Sequence, residues 1–582
     1  GQYWYRQYAD IGSFDEKTPL RDWSAAERNA LVHGGEAAAR LGSRPPKDYE
    51  GLLERFTRVY IHTEGDISDR KQGVIDRFTT SETCPECSGE RLNEAARSVA
   101  VAGHTIIEFS EMEVADLIEV VRRLDHPSSS GPVAASLADR LAALDEIGLG
   151  YLNLGRPTKT LSGGESQRIK LVRHLGSSLT EMLYVFDEPS IGLHPHDVER
   201  LTGLLRRLRD KGNTILVVEH DPDVVEVADH IIDLGPHAGS EGGEVVFEGD
   251  LSQLRAADTV TGRALGERLS IRDDPRDPAG TLAINGANLH NLRNLDVELP
   301  TGILNVLTGV AGSGKSSLVE VLVERNPGAS VIDQSAVSTG RRSNTATYTK
   351  IAASIRRLFA EANGVKASLF SANSEGACPE CRGLGVVYTD LAFMDGYIAV
   401  CDACGGRRFT DDVLEHRLGG LSIADVFDLT VDRARRVFEG DDFAPILDAL
   451  ADVGVGYLTL GQPLNTLSGG ECQRLKLATE LHASPANALY VLDEPTTGLH
   501  LADVSRLVEI LDRLVDAGNT VVVIEHNLDV IRRADWVIDL GPGAGHHGGR
   551  VVFAGPPREL LDDERSVTAE HLRRSLQGVP AH

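Results

Sequence analysis

Residues 467–500 read LSGGECQRLKLATELHASPANALYVLDEPTTGLH, and residues 161–194 read LSGGESQRIKLVRHLGSSLTEMLYVFDEPSIGLH. The same spacing carries Asp187 onto Asp493, Glu219-His220 onto Glu525-His526, and VVFEG (245–249) onto VVFAG (551–555) without a gap. The chain is therefore an internal duplication. In each copy an apolar run (183–186, 489–492) ends in Asp-Glu, which places Asp187 and Glu188, or Asp493 and Glu494, at the carboxyl edge of a parallel sheet. Such an Asp can hold Mg²⁺, and the Glu after it can polarise a water. An Asp-Glu pair after an apolar strand is ordinarily a strand cap. Here it stands twice between LSGGE and Glu-His, a context that simple capping does not explain.

LSGGE supplies a serine hydroxyl and glycine N–H groups at a helix start, suited to a γ-phosphate. These residues are Ser162, Gly163, Gly164 and Glu165 in one copy and Ser468, Gly469 and Gly470 in the other. GVAGSGKS at 309–316 matches G-x-x-x-x-G-K-[ST], directly after the apolar run 304–308 and before a helix expected near Ser316. The N–H groups of Gly309, Gly312, Ser313, Gly314, Lys315, Ser316 and Ser317 would cradle phosphate. Lys315 would reach the β/γ oxygens, and Ser316 would bind Mg²⁺ with Asp493. Gln334 lies between this loop and LSGGE, where a glutamine can couple nucleotide to a helical domain.

Together these parts resemble ABC-type ATPases, whose signatures act across an interface. The resemblance implies one assembled ATP site of Lys315, Ser316, Gln334, Asp493, Glu494 and His526, closed by Ser162, Gly163 and Gly164 of the other half. Glu494 is expected to orient the attacking water, and His526 to sense the γ-phosphate. The second set, Asp187, Glu188, His220 and Ser468, has no P-loop in this sequence. The expected fold is α/β: two ABC-type P-loop ATPase modules in tandem, with inserted helical signature domains and a four-cysteine zinc module.

A chain of 582 residues is too long for one core. It has no apolar run able to span a bilayer, which excludes a transporter carrying its own channel, and no secretory signal, so the cytoplasm is expected. A net charge of -28 argues against nonspecific coating of nucleic acid. Between residues 335 and 410, however, nine Lys/Arg stand against six Asp/Glu. Arg341, Arg342, Lys350, Arg356, Arg357, Arg407 and Arg408 are the candidate phosphate contacts there. Six of seven cysteines form Cys-x-x-Cys pairs. Cys378/Cys381 and Cys401/Cys404 are spaced as two zinc knuckles. Cys84/Cys87 corresponds to the second of these pairs, so either its partner pair lies upstream of Gly1, as is expected of the first P-loop and is the favoured reading, or these two are ordinary thiols. Cys472 reads as a free thiol.

Helices are expected at 24–32, 71–78, 114–124, 132–144 and 197–211, and a strand at 214–218. Tyr3, Trp4 and Tyr5 read as buried packing. The expected divisions are 1–148 (remainder of the first signature and insertion region), 149–270 (end of the first module) and 271–279 (a charged, proline-containing linker). They continue with 280–334 (second P-loop part), 335–446 (signature domain with zinc module) and 447–582 (end of the second module).

A zinc module between glutamine loop and signature, LSGGE-x-QR, DEP-[ST]-x-GLH and IEHN-LDVI-x-x-ADW-x-IDLGP together resemble the UvrA family, DNA damage sensors of bacterial nucleotide excision repair. Asp333-Gln-Ser, Arg342-Ser-Asn and Thr345-Ala-Thr-Tyr-Thr also resemble its second half. The resemblance implies ATP, Mg²⁺ and Zn²⁺ as cofactors, double-stranded DNA as partner, a homodimer, and ATPase rather than nuclease activity. The sequence departs from the family in that the first P-loop and the UvrB-binding region are not in it; a UvrB-like partner remains an implied possibility. Val310-Ala311 also stands where the family has Val-Ser. An alternative implied by the same motifs is a UvrA-like antibiotic self-resistance protein that removes DNA-bound drug.

Overall fold

The computed structural model describes residues 18–577 except 35–36, 38–48, 63–73, 76, 81, 125–129, 162, 176–179, 237–238, 240–241, 336, 338–339, 341, 392–393 and 484–486. Tyr3, Trp4, Tyr5, Ser162, Arg341 and half of the expected helix 71–78 thus lie outside the described residues, while 74–75 and 77–78 are helical. The chain forms two compact units, 1–100 and 101–582. In the first, helix α1 (Ala25–His33) starts where Ser24 and Glu27 exchange side-chain and backbone hydrogen bonds in a capping box. Ala30 and Tyr49 are buried in its small core.

The second unit contains both copies of the repeat. In the first copy come α2 (Val114–Arg123), α3 (Gly131–Glu146), the signature helix α4 (Gly163–Leu175), β1 (Leu183–Asp187), α5 (Pro195–Asp210), β2 (Thr214–Val218), β3 (Ile231–Gly235), β4 (Glu244–Gly249) and α6 (Val260–Gly266). The second copy supplies β5 (Gly280–Ala287), β6 (Leu295–Thr301), β7 (Leu304–Gly309), α7 (Lys315–Arg325) and β8 (Ser330–Ile332). After it come α8 (Ile351–Asn363) and the hairpin β9 (Val386–Leu391) and β10 (Met394–Val400). The chain closes with the signature helix α9 (Gly469–Ala483), β11 (Leu489–Asp493), α10 (Leu501–Asp516), β12 (Thr520–Ile524), β13 (Trp536–Gly541), β14 (Arg550–Gly555) and α11 (Val567–Gln577). Among the described residues no helix is long and apolar enough to cross a membrane.

In the second copy six strands form one sheet in the order β8-β11-β12-β7-β13-β14, parallel except for the last pair, while β5-β6 and β9-β10 pair separately. Every residue of β7 (LNVLTG) and β12 (TVVVI) is buried, as expected of parallel strands covered on both faces. Asp493 pairs with Ile524, and Ile524 with Leu307, so the Asp-Glu, the Glu-His and the phosphate loop emerge together at the carboxyl edge.

The first copy differs at this point. β1 pairs with β2 and β3 with β4, but among the described residues no strand joins β2 to β3. Val491, Val522, Ile524, Ile538 and Leu540 lie in a core shared with β5, β6 and α7. Their counterparts by the repeat, Val185, Leu216, Val218, Ile232 and Leu234, are each at least half exposed.

Residues 271–279, expected as a linker, are tied to the second copy by charge. Arg272 bonds Asp512 at 2.6 Å and the Arg533 carbonyl at 2.7 Å, and Arg276 reaches Asp535 and Asp512 at 2.9 Å. Asp535 also accepts the Leu304 N–H at the start of the P-loop strand. Its fully buried carboxylate would be costly if left unpaired.

Candidate nucleotide site and four-cysteine centre

The phosphate loop is shaped by its glycines. Gly309, Gly312 and Gly314 have φ of 132°, 74° and 106°, a region unfavourable to other residues. A Cβ at Gly309 would collide with the Leu540 carbonyl, and one at Gly312 would come within 2.9 Å of the Tyr151 ring. α7 begins at Lys315, so its free N–H groups point into the loop. The Lys315 ammonium is buried and donates to the Gly309 and Val310 carbonyls at 2.9 and 3.0 Å. Burial pushes its pKa down to about 8, against the pull of Glu494, Asp197, Asp539 and Asp493. Thr308 Oγ1, Ser313 Oγ and His526 Nδ1 are buried without a hydrogen-bond partner among the described residues. A buried cation and unpaired polar atoms around an N–H-rich loop fit a polyphosphate. Ser316, exposed at the loop's end, and Asp493 fit its Mg²⁺.

Glu494 follows β11 with φ of 45° and bonds the Ile524 carbonyl through its N–H at 2.9 Å. Burial, reinforced by the Asp493 and Glu525 charges, pushes its carboxyl up to about 7. His526 Nε2 lies 3.9 Å from it, and burial holds that imidazole well below the usual range. Behind both sits Glu525, fully enclosed. Its carboxylate accepts the N–H groups of Thr496, His526 and Asn527 at 2.8–2.9 Å, fixing the loops after β11 and β12 in one register. Glu219 does the same for Ser190, His220 and Asp221. This scaffold role was missed in the sequence, although the doubled Glu-His carried the signal.

The first copy reaches across to this site. Gly192 packs against the Glu494 carboxylate, Arg168 of α4 lowers its pKa, and Asp197 of α5 lies 3.5 Å from the Ala311 N–H. Tyr151 covers Gly312 and donates to Glu165 of the first signature at 2.5 Å. Glu113 of the first copy holds His546 at 2.9 Å, one residue from the Gly545 N–H that bonds Gly312. Tyr151, Glu113 and Asp197 were not singled out from sequence. Gly163 and Gly164 stand at the start of α4, and a Cβ on Gly164 would lie 2.9 Å from the Ile191 carbonyl. A cavity of about 460 Å³ lined by Glu188, His220, Glu494 and His526 opens between the two copies.

The ABC transporter family model matches residues 292–497. UvrABC system protein A of Aquifex aeolicus is 41% identical over 606 residues, covering 97% of this chain and 64% of that protein. Its namesake from Thermus thermophilus is 42% identical, over 95% of this chain and 63% of the relative. This chain therefore spans just under two thirds of the length of these curated relatives. The crystal structure of UvrA2 from Deinococcus radiodurans superposes with a TM-score of 0.86 at 38% identity, covering 98% of this chain and 78% of that one. The chain belongs to the UvrA family.

In this UvrA-family chain the second candidate set lies after β1 and β2. Glu188, with φ of 44°, lies 3.5 Å from His220. The hydrogen bond between them lowers the carboxyl and raises the imidazole, and Asp187 is exposed. Gly498 faces Glu188 as Gly192 faces Glu494. Ser468 and Glu471 cap α9 reciprocally, with Gly469 and Gly470 opening the helix. Gln334 donates to Thr497 Oγ1 at 3.0 Å, on the loop after β11.

Within the UvrA-family fold the knuckles flank the β9-β10 hairpin and bring Cys378, Cys381, Cys401 and Cys404 together, all buried. Sulfur separations of 4.0 Å (Cys378–Cys401) and 3.7 Å (Cys381–Cys404) match the edge of about 3.8 Å that a tetrahedron with metal–sulfur bonds of about 2.3 Å requires. Cys84 is exposed and Cys87 half-buried, on a turn closed by the Ser88 N–H to the Cys84 carbonyl. Cys472 is a buried free thiol.

Of the basic candidates, Arg342, Lys350, Arg357 and Arg407 are exposed, with Arg357 paired to Asp442 and Arg407 to Asp411. Arg356 is half-buried and bonds the Ala352 carbonyl. Arg408 does not fit the expectation of a phosphate contact. Its guanidinium turns inward to the Gly461 carbonyl at 3.1 Å, beside the cysteine cluster. This knuckle residue has a φ of 71° and a half-buried side chain.

Proposed function

We propose that the chain hydrolyses ATP at the Lys315–Glu494 site and uses the cycle to bind and probe distorted duplex DNA, as a damage sensor in nucleotide excision repair, in the cytoplasm and as a homodimer. The observation that carries this reading is the meeting of Lys315, Glu494 and His526 of one copy with Tyr151, Arg168 and Gly192 of the other. Lys315 exchanges its loop carbonyls for the β/γ oxygens, and the loop N–H groups hold the remaining phosphate oxygens. Glu494 aligns the water in line with the γ-phosphorus, and His526 faces the transferring group. Mg²⁺, held by Ser316 and Asp493, neutralises charge between the β and γ oxygens when bound. Gly163 and Gly164 at the start of α4 are the proposed closure from the other copy, with Ser162 outside the described residues. Steady ATP turnover that duplex DNA alters is the expected result; turnover indifferent to DNA would reject the coupling. Capture of a UvrB-like protein would favour repair over drug removal.

Zn²⁺ is the proposed occupant of the four-cysteine centre, where it locks the knuckles that carry Arg407. One zinc on the four cysteines is expected, lost on Cys381→Ser, while Cys84/Cys87 stay unfilled in these 582 residues. Elemental analysis after gentle purification checks both numbers.

Arg342, Lys350, Arg357 and Arg407 are the proposed phosphate contacts, in the one long stretch where basic residues outnumber acidic ones in an acidic chain. Replacing Arg342 and Lys350 by alanine should weaken binding evenly across duplex sequences and flatten the slope of log affinity against log salt by about 0.9 per lost contact. Fluorescence titration at several salt concentrations, with zinc content verified, measures this. An unaltered slope would move the DNA surface elsewhere.

A further inference from the structure

Beside the nucleotide site lies a group of side chains that the ATPase reading does not use. His196 and Glu199 stand three residues apart on one face of α5, and His571 projects from α11 of the other copy. One ligand atom from each lies within 4.8 Å of the other two. His194 stands between them and the catalytic centre, with ring centroids 5.7 Å from both His571 and His526. It is not free to join, because its Nε2 meets Thr568 Oγ1 at 3.0 Å and its Nδ1 accepts the His196 N–H at 3.1 Å. Arg574 approaches one Glu199 oxygen at 3.6 Å and leaves the other available.

The duplication supplies an internal control. On the opposite side Thr261 bonds His500 at 3.0 Å, as Thr568 bonds His194. Three residues beyond Thr261 stands Ala264, where His571 stands beyond Thr568, and Ala502 and Ser505 occupy the places of His196 and Glu199. The shared architecture needs none of the three ligand-type residues, yet one side carries all three together.

We propose that His196, Glu199 and His571 form a second transition-metal site that bridges the two copies next to the γ-phosphate sensor. Two imidazoles and a carboxylate, with a fourth position left to water, suit Zn²⁺, Co²⁺ or Ni²⁺, whereas Mg²⁺ and Ca²⁺ favour all-oxygen sets. A bound ion joins α5 to α11 and thereby restrains the copies from separating around His526.

Co²⁺ loaded onto the untagged chain tests this. Cobalt on thiolates gives strong sulfur-to-metal absorption in the near ultraviolet, while a two-histidine, one-carboxylate site gives only weak visible bands. Two spectrally distinct equivalents are expected in the parent chain. Glu199→Gln and, separately, His196→Ala, both at half-buried positions, should lose the weak-band equivalent and keep the thiolate one, which also reports that the chain is folded. The thermal midpoint should rise when the second equivalent binds, and Glu199→Gln should abolish that rise. Thiolate-type binding alone in the parent chain overturns the proposal. A weak-band equivalent that persists in both variants overturns it equally.

Discussion

Lys315→Ala is expected to lower ATP turnover by at least about a hundredfold in kcat/KM, the loss typical of removing a charge stabiliser from a transition state. The ammonium is buried beside the loop that must hold the β/γ oxygens, and it is the only cation of a P-loop motif in this sequence. Its removal leaves Glu494, Asp493 and Asp539, three carboxylates that already act on Lys315, facing an incoming polyphosphate without compensation. Binding and chemistry should therefore fail together. Turnover that survives in the purified variant would place hydrolysis at a different site.

Glu494→Gln separates the two. The amide keeps size and hydrogen bonding but cannot act as a carboxylate, so ATP should bind while hydrolysis slows by about a hundredfold or more. Glu188→Gln should change turnover little in these 582 residues, since its partner signature faces no P-loop lysine of the first copy. Equal losses in rapid-quench measurements of the two variants would contradict a single working site. Glu494 must be ionised to orient water, and Lys315 must be protonated to attract phosphate. With burial placing them at about 7 and about 8, kcat/KM should rise as pH passes 7 and fall again above 8. The profile reports the free enzyme, because kcat/KM is referred to free enzyme and free ATP. In Glu494→Gln the rising limb should vanish from whatever turnover remains.

Much of this site could be read from the chain because motifs encode local backbone geometry. Glycines that permit positive φ, an apolar strand running into Asp-Glu and cysteines spaced as Cys-x-x-Cys each fix a turn or a strand end wherever they occur. Contacts between the copies are not encoded that way, since they depend on how elements far apart in sequence pack. Tyr151 shows the difference. Its hydroxyl bonds the signature Glu165 at 2.5 Å, and Tyr457 repeats this with Glu471 at 2.6 Å. Neither the pairing nor the ring's place over Gly312 was singled out from the sequence. Arg408 and the charged side chains of the 271–279 linker show a related gap. Charge alone suggested solvent-facing residues, whereas Arg408 turns to an inner carbonyl and Arg276 to the enclosed Asp535.

The open face of the first copy has a consequence for handling the chain in solution. Val185, Leu216, Val218, Ile232 and Leu234 hold positions that in the second copy are sealed into a core. Covering a side chain of this size is worth about 1.5–3 kcal/mol, and in the second copy β5, β6 and α7 provide that cover. Phosphate contacts are screened as ionic strength rises, while excluded salts such as sulfate strengthen apolar association. Ammonium sulfate should therefore weaken the proposed phosphate contacts while strengthening the apolar packing that seals the same positions in the second copy.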